Sequence, residues 1–140
     1  MVGLVVATHG RLAEELLRTA EGIVGAVAAA RAVSISADRP MEEAREDLAG
    51  AIRAVDQGEG TLVLTDMFGG TPANLALTFL DGRVEVLTGV NLPMVVKFAA
   101  TRGDGLSLRA TAELLEGYGQ KNIALASELL RQRTASGGRP

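Results

Sequence analysis

The hydrophobic pattern of this chain changes period several times between its two ends. Short aliphatic runs that end in glycine or proline turns are typical of buried strands. They predict four strands, within residues 4–7, 30–36, 61–65 and 83–89. Between these runs the apolar residues recur at spacings of three and four, as they do along one face of a helix. Strands that alternate with helices predict right-handed βαβ units and a parallel sheet.

The helical spacing predicts two long helices after the first two strands, over residues 11–25 and 41–55, and another over residues 106–119. A shorter helix is expected to begin at Asn91, whose side chain would cap it, with Pro93 in its first turn. The arrangement that uses these elements most economically is a doubly wound α/β fold. It has a four-stranded parallel sheet in the order 2-1-3-4, with helices on both faces.

The pattern is ambiguous near the C-terminal end. Gly117 and Gly119 are expected to end the preceding helix. Beyond them, Ile123 and Leu125 with alanines between them favour a strand, whereas the Ala, Glu and Leu content of residues 122–129 also favours a helix.

Composition narrows the function. The chain has 140 residues and a net charge of −3, which suits one domain over residues 1–130 and a flexible tail over residues 131–140. No basic cluster is interleaved with aromatic residues, so no nucleic-acid partner is expected. Cysteine is absent and histidine occurs once, so we expect neither a metal site nor a cofactor. No apolar run reaches the roughly 20 residues that span a bilayer, and no signal peptide is evident, so the cytoplasm is the expected location.

Two candidate reactive groups follow two of the predicted strands. His9, in the segment "VVATHGR", follows the first strand, and Asp66 follows the third. Ligands of open parallel sheets bind beyond the carboxyl ends of the strands, where the winding reverses. In the order 2-1-3-4 that point lies between strands one and three, so we expect both side chains at one crevice. The alternative is a histidine that only fills space and an aspartate that only supports a turn.

The segment after Asp66, "MFGGTP", is predicted to form an anion site. Thr71 is expected to cap a helix whose first residue is Pro72, so that free N–H groups and the positive end of the helix dipole point outward. Gly69 and Gly70 allow the main chain to approach a ligand closely, and phosphate is the expected anion. An ordinary turn is the alternative. Neither a Walker A loop nor a Rossmann fingerprint occurs, which disfavours a nucleotide.

A histidine beside an anion site indicates phosphoryl transfer. Neutral imidazole is a nucleophile, and a phosphoryl group on its nitrogen stays reactive enough to be passed on. Asp66 would accept the Nδ1 proton of His9, so that Nε2 faces the incoming phosphorus. The amides of Met67 to Gly70 and the Thr71 hydroxyl would hold the phosphoryl oxygens, without a metal. Phe68 is expected to be exposed, where it would shield the site or contact a partner.

Three blocks of the sequence, in this order and spacing, resemble a known family. They are "GLVVATHGRLAEELLRTAEGIVG", "TDMFGGTPANLA" and "LTGVNLPM". The chain is similar over nearly its whole length to the mannose-type enzyme IIA domain of the bacterial phosphoenolpyruvate-dependent sugar phosphotransferase system.

The resemblance implies a phosphoryl carrier. His9 would take a phosphoryl group from the phosphohistidine of the carrier protein HPr and pass it to a histidine of a IIB component, which serves sugar uptake through a membrane IIC/IID complex. Asp66 would orient His9, and the turn from Phe68 to Thr71 would surround the phosphate. Two alternatives remain: the phosphoryl-donor subunit of the phosphotransferase-dependent dihydroxyacetone kinase, and a regulatory phosphoprotein that passes nothing to sugar.

The resemblance also implies a homodimer. Members of the family have a fifth, antiparallel strand that is exchanged between subunits, and residues 122–129 are therefore expected to form this strand. Because the sequence has no fused IIB domain, the IIB partner is expected to be a separate protein.

Overall fold

The computed structural model of the protein describes residues 1–135. Its sheet contains four parallel strands in the order β2-β1-β3-β4. The strands are β1 (Gly3–His9), β2 (Ala30–Ile35), β3 (Thr61–Thr65) and β4 (Val84–Thr88). The predicted sheet and its 2-1-3-4 order are confirmed.

Helices cover both faces of this sheet. They are α1 (Leu12–Val24), α2 (Met41–Val55), α3 (Thr71–Leu77), α4 (Leu92–Thr101), α5 (Leu108–Lys121) and α6 (Ala126–Ala135), and a short 3₁₀ turn (Arg102–Asp104) follows α4. Helices α1, α4 and α5 pack on one face, and α2 and α3 on the other. Among residues 1–135, no helix combines the length and the apolar character needed to cross a bilayer.

The central strand β1 divides its side chains between two hydrophobic cores. Leu4 and Val6 face the first core, which contains Phe98, and Val5 and Ala7 face the second. All five side chains are fully buried. Successive residues of a strand point to opposite faces, so an uninterrupted apolar run is what a strand covered on both sides requires. Burial of each larger side chain contributes roughly 1.5–3 kcal/mol, and the two cores together fix the register of the strand.

Helix α4 begins as the sequence predicts. The Asn91 Oδ1 accepts the main-chain N–H of Met94 at 3.2 Å, and Pro93 lies in the first turn. The Asn91 amide group also donates to the carbonyl of Gly119 at 3.1 Å. Asn91 therefore serves both as the cap of α4 and as a link between α4 and α5.

The prediction that Gly117 and Gly119 end a helix is wrong, because α5 continues through both residues to Lys121. A Cβ atom on Gly119 would lie only 2.5 Å from the Met94 sulfur. Glycine at this position allows α5 to approach α4 closely, a requirement that comes from tertiary packing and not from the local chain.

The strand expected over residues 122–129 is also wrong for the single chain. Residues 123–125 are irregular, and α6 begins at Ala126. A strand needs a neighbour for its main-chain hydrogen bonds, whereas a helix satisfies its own, and the Ala, Glu, Leu and Arg residues of this segment favour a helix.

Helix α6 also extends into the expected flexible tail. Residues 131–135, which the sequence prediction places in that tail, are helical, and residues 136–140 lie outside the described residues. None of the side chains of α6 is buried.

Candidate functional site

The sheet brings His9 and Asp66 together at its carboxyl end. Strands β1 and β3 are hydrogen-bonded neighbours in which Ala7 pairs with Thr65, so the last residue of β1 and the first residue after β3 lie side by side. The His9 Nδ1 is 2.9 Å from the Asp66 Oδ2, and the main-chain N–H of His9 donates to the same oxygen at 3.2 Å. The two side chains therefore meet at the carboxyl end of the sheet, as the strand order predicts.

The contact with Asp66 assigns the two nitrogens of the imidazole different roles. A carboxylate only accepts hydrogen bonds, so the neutral ring must carry its proton on Nδ1. The lone pair is then on Nε2. The His9 side chain is 47% exposed, whereas that of Asp66 is 15% exposed. The geometry is that of an accessible nucleophile held from behind by a shielded carboxylate.

Thr8 is a supporting residue that the sequence reasoning missed. Its side chain is fully buried. The hydroxyl donates to the His9 carbonyl at 3.1 Å and accepts the main-chain N–H of Ala13 at 2.6 Å. Thr8 therefore ties the histidine main chain to the first turn of α1. The sequence gives one signal for this role. The threonine directly precedes the histidine and lies five residues before a main-chain N–H that the start of a helix leaves without a helical partner.

The turn between β3 and α3 lies directly beside His9. Met67 and Phe68 are exposed by 55% and 75%, which agrees with the expectation that Phe68 faces solvent. Within the described residues, the main-chain amides of Met67, Phe68 and Gly69 donate no hydrogen bond. Exposed amide donors beside an accessible nucleophile can bind an anion.

The start of α3 differs by one residue from the prediction. Gly70 is the N-cap, and Thr71 is the first helical residue instead of the cap. Pro72 is then the second helical residue, a position that also tolerates the missing N–H. The Thr71 hydroxyl makes no hydrogen bond within residues 1–135, so it is not committed to the helix.

Two buried oxygens beneath the site have no hydrogen-bond partner among residues 1–135. They are the Asp66 Oδ1 and the Thr65 Oγ1. Unpaired polar atoms in an interior cost stability, and native structures keep few of them. The orphaned Oδ1 belongs to the carboxylate that holds His9. Two further unpaired buried atoms of the described residues, the Ser34 Oγ in β2 and the Arg102 Nε, lie away from the site.

Arg11 lies two residues after His9, at the N-cap of α1. Its side chain is 75% exposed and contacts Glu14 at 3.3 Å, as an ordinary surface ion pair. No group of three or more potential metal ligands occurs in the described part of the chain.

Comparison with known proteins gives consistent matches. The family model EIIA-man, described as "PTS system fructose IIA component", matches residues 3–116. The PTS mannose-specific EIIAB component of Escherichia coli K12 is 30% identical over 124 residues, which are 87% of this chain and 38% of that protein. The fructose-specific EIIA component of Bacillus subtilis is 27% identical over 134 residues, with coverage of 94% and 91%.

Solved structures agree with the sequence matches. The mannose/sorbose-specific IIA subunit of the phosphotransferase system from Enterococcus faecalis superimposes with a TM-score of 0.79 at 31% identity. The match covers 88% of this chain and 92% of that subunit. By contrast, the chain spans only 38% of the length of the E. coli relative.

Proposed function

The chain belongs to the mannose- and fructose-type IIA family of the phosphotransferase system, a family of phosphoryl carriers, and we propose that His9 is the residue that carries the phosphoryl group. The donor is the phosphohistidine of HPr, and the acceptor is a histidine of a IIB component. In the first step the Nε2 lone pair of His9 forms a bond to phosphorus while the bond between phosphorus and the donor histidine breaks. The second step repeats this exchange in the direction of IIB.

One observation carries the proposal: the hydrogen bond between the His9 Nδ1 and the Asp66 Oδ2, at 2.9 Å. It leaves Nε2 unprotonated on a half-exposed ring. Attack by Nε2 places positive charge on the imidazole, and the adjacent carboxylate offsets that charge. Asp66 therefore both orients the nucleophile and stabilises its phosphorylated form.

We further propose that the turn from Met67 to Thr71 holds the phosphoryl oxygens. The free amides of Met67, Phe68 and Gly69 and the uncommitted Thr71 hydroxyl support this role. Amide donors carry no net charge, so they stabilise the phosphoryl group without binding it too tightly for onward transfer.

The test is phosphorylation by purified enzyme I, HPr and phosphoenolpyruvate, followed by mass spectrometry of the intact chain. One phosphate is expected, labile in acid and stable in alkali, and fragmentation should locate it on His9. The His9→Ala variant should remain unlabelled and fold normally. A label on another residue, or its persistence in His9→Ala, would sink the proposal.

The destination of the phosphoryl group is tested by adding acceptors to the purified labelled protein. Transfer to a IIB component is the expected outcome. Transfer only to dihydroxyacetone kinase subunits would support the kinase-donor alternative. Transfer to neither acceptor would support the regulatory alternative.

The cytoplasmic location inferred from the sequence stays a prediction.

A homodimer is the second part of the proposal. Four large apolar side chains near the end of the described chain are exposed, namely Ile123, Leu125, Leu129 and Leu130. Apolar groups collected in one segment indicate a surface that another protein covers, and a second copy is the expected partner. Sedimentation should show a dimer, and Leu129→Glu should shift it toward monomer; a monomeric wild-type protein would contradict this part alone.

A further inference from the structure

Gly70 lies against the imidazole of His9. Its backbone has φ −87° and ψ 169°, an extended conformation that any residue adopts. The need for glycine here therefore does not come from backbone strain. Gly69 differs, because its φ of +87° belongs to the region that favours glycine.

The space around Gly70 is filled by the reactive ring. A Cβ atom on this residue would lie 2.5 Å from the His9 Cε1 and 2.9 Å from its Nε2. The next neighbour, the Met67 Cγ, would be 3.6 Å away, an ordinary contact distance. A methyl group at position 70 would thus collide with the imidazole, whereas its contact with Met67 would be an ordinary one.

The ring of His9 is confined on two adjacent sides. Nδ1 contacts the Asp66 carboxylate at 2.9 Å. The neighbouring ring atoms Cε1 and Nε2 face Gly70, where they occupy the space that a Cβ atom would need. A ring displaced from Gly70 must rotate about its side-chain torsions, and such a rotation breaks the contact between Nδ1 and Asp66. Since the side chain is 47% exposed, the displaced ring has solvent to move into.

We propose that Gly70 is a positioning residue, which acts through His9 by holding the imidazole in the rotamer that keeps Nδ1 on Asp66. This inference rests on the proposed function of His9 as the phosphoryl acceptor. It separates two roles within the glycine pair: Gly69 permits the turn, and Gly70 leaves room for the nucleophile.

The test compares Gly70→Ala with the matched variant Gly69→Asn. Asparagine tolerates positive φ better than other side chains, and a Cβ atom on Gly69 meets nothing within 4 Å. Because the chain has a single histidine, ¹⁵N-histidine labelling gives NMR signals from one imidazole only. Spectra recorded on the alkaline plateau of a pH titration, where the ring is neutral, report which ring nitrogen carries the proton.

In the wild-type protein and in Gly69→Asn, the Nδ1–H tautomer is expected to predominate. In Gly70→Ala, the two tautomers should become mixed, and the rate of phosphorylation by phospho-HPr should fall about 100-fold, as for a small misplacement of a reacting group. Circular dichroism should show that both variants fold.

Three results would overturn the inference. They are an unchanged tautomer in Gly70→Ala, an unchanged rate, and failure of this variant to fold, because only the mobile ring obstructs the new methyl group. If the wild-type protein were not phosphorylated at all, the proposed function would fail, while the tautomer comparison would still decide the role of Gly70.

Discussion

The aspartates at the two ends of the sheet differ in how fully their carboxylate oxygens are hydrogen-bonded. At the amino end, both oxygens of Asp56 accept hydrogen bonds from Arg83, and Oδ1 also accepts the amides of Gly58 and Gly60. At the carboxyl end, the Asp66 Oδ2 accepts the hydrogen bonds, and Oδ1 is buried without a partner among residues 1–135. The Asp56 carboxylate links parts of the fold to each other, whereas the Asp66 carboxylate holds the candidate reactive group, His9.

Arg102 is a cation at the amino end of the sheet that, like Asp56, has several hydrogen-bond partners. It follows α4 and donates to the carbonyls of Val2, Ala28 and Ala29, which joins β1 and the start of β2 at the amino end. Its guanidinium also lies 4.8 Å from the centre of the Phe98 ring. Burial lowers the pKa of Arg102, yet an arginine remains charged at any ordinary pH.

The difference shows where stability and chemistry are located. At the amino end, the Asp56 carboxylate and the terminal nitrogens of Arg102 are paired with an arginine, amides or carbonyls, which is how buried charge becomes tolerable. The Arg102 Nε is the exception, since it has no partner among residues 1–135. At the carboxyl end, free amides and an unpaired oxygen surround His9. Substitutions at the two ends should therefore alter different measured quantities.

Asp66→Asn should have the largest effect, and it should act on transfer alone. The amide keeps the shape of the side chain but removes the charge that offsets the phosphorylated imidazole. Loss of a carboxylate that orients a catalytic histidine costs up to about 10⁴-fold in rate, and we expect a decrease of roughly 10²- to 10⁴-fold here. Rapid-quench measurement of phosphorylation by phospho-HPr checks the rate, and thermal unfolding checks that stability is kept. An unchanged rate would show that Asp66 has only a structural role.

Arg102→Met should act on stability alone. Three carbonyls lose a charged donor, and each such bond contributes roughly 1.5–3 kcal/mol. Because removal of the arginine also relieves the cost of its own burial, the expected net loss is about 2 kcal/mol. Urea denaturation measures this loss. A slower phosphoryl transfer in the folded variant would contradict the separation of the two ends.

Asp56→Asn should have the smallest effect, and its effect should depend on pH. Hydrogen bonds from Arg83, followed by that from Gly58, lower the pKa of Asp56 below its ordinary value of 3.8. A carboxyl group with a lowered folded-state pKa stabilises the fold above its ordinary pKa, and this contribution is lost as pH falls through the folded-state value.

For this partly exposed pair we expect a loss of about 1 kcal/mol at neutral pH. The difference in free energy of unfolding between wild type and Asp56→Asn should shrink as pH falls below 3.8. Denaturant titrations at several pH values measure it. A difference that grows toward acid pH would refute the assignment.

The sequence predicts the sheet and the principal pair of the site for definable reasons. Alternating periods reveal the strands and helices, and the strand order places the ends of β1 and β3 together, which brings His9 to Asp66. The first prediction rests on the local hydrophobic period, and the second rests on the order of the strands in the sheet. For Gly69 and Gly70 the sequence predicts main-chain freedom and amides that hold phosphoryl oxygens, but it does not predict the contact of Gly70 with the ring.

Other features depend on partners that are distant in sequence. Gly119 looks like a helix end until Met94 is placed against it. The Thr8 hydroxyl serves His9 and α1 together, which no single period in the sequence reports. The segment that becomes α6 has strand-like and helix-like signals, and in a single chain no neighbouring strand pairs with it, so helix propensity decides.

The in-register pairing of Ala7 with Thr65 has a consequence for how a phosphoryl group would be received and passed on. The spacing between His9 and Asp66 is set by two adjacent strands and not by a loop that must close, so the proposed nucleophile is in position before any partner binds. A carrier must meet one protein to be loaded and another to be unloaded. A pair fixed by the sheet presents the same face to both, so neither direction of transfer has to reorganise the site first.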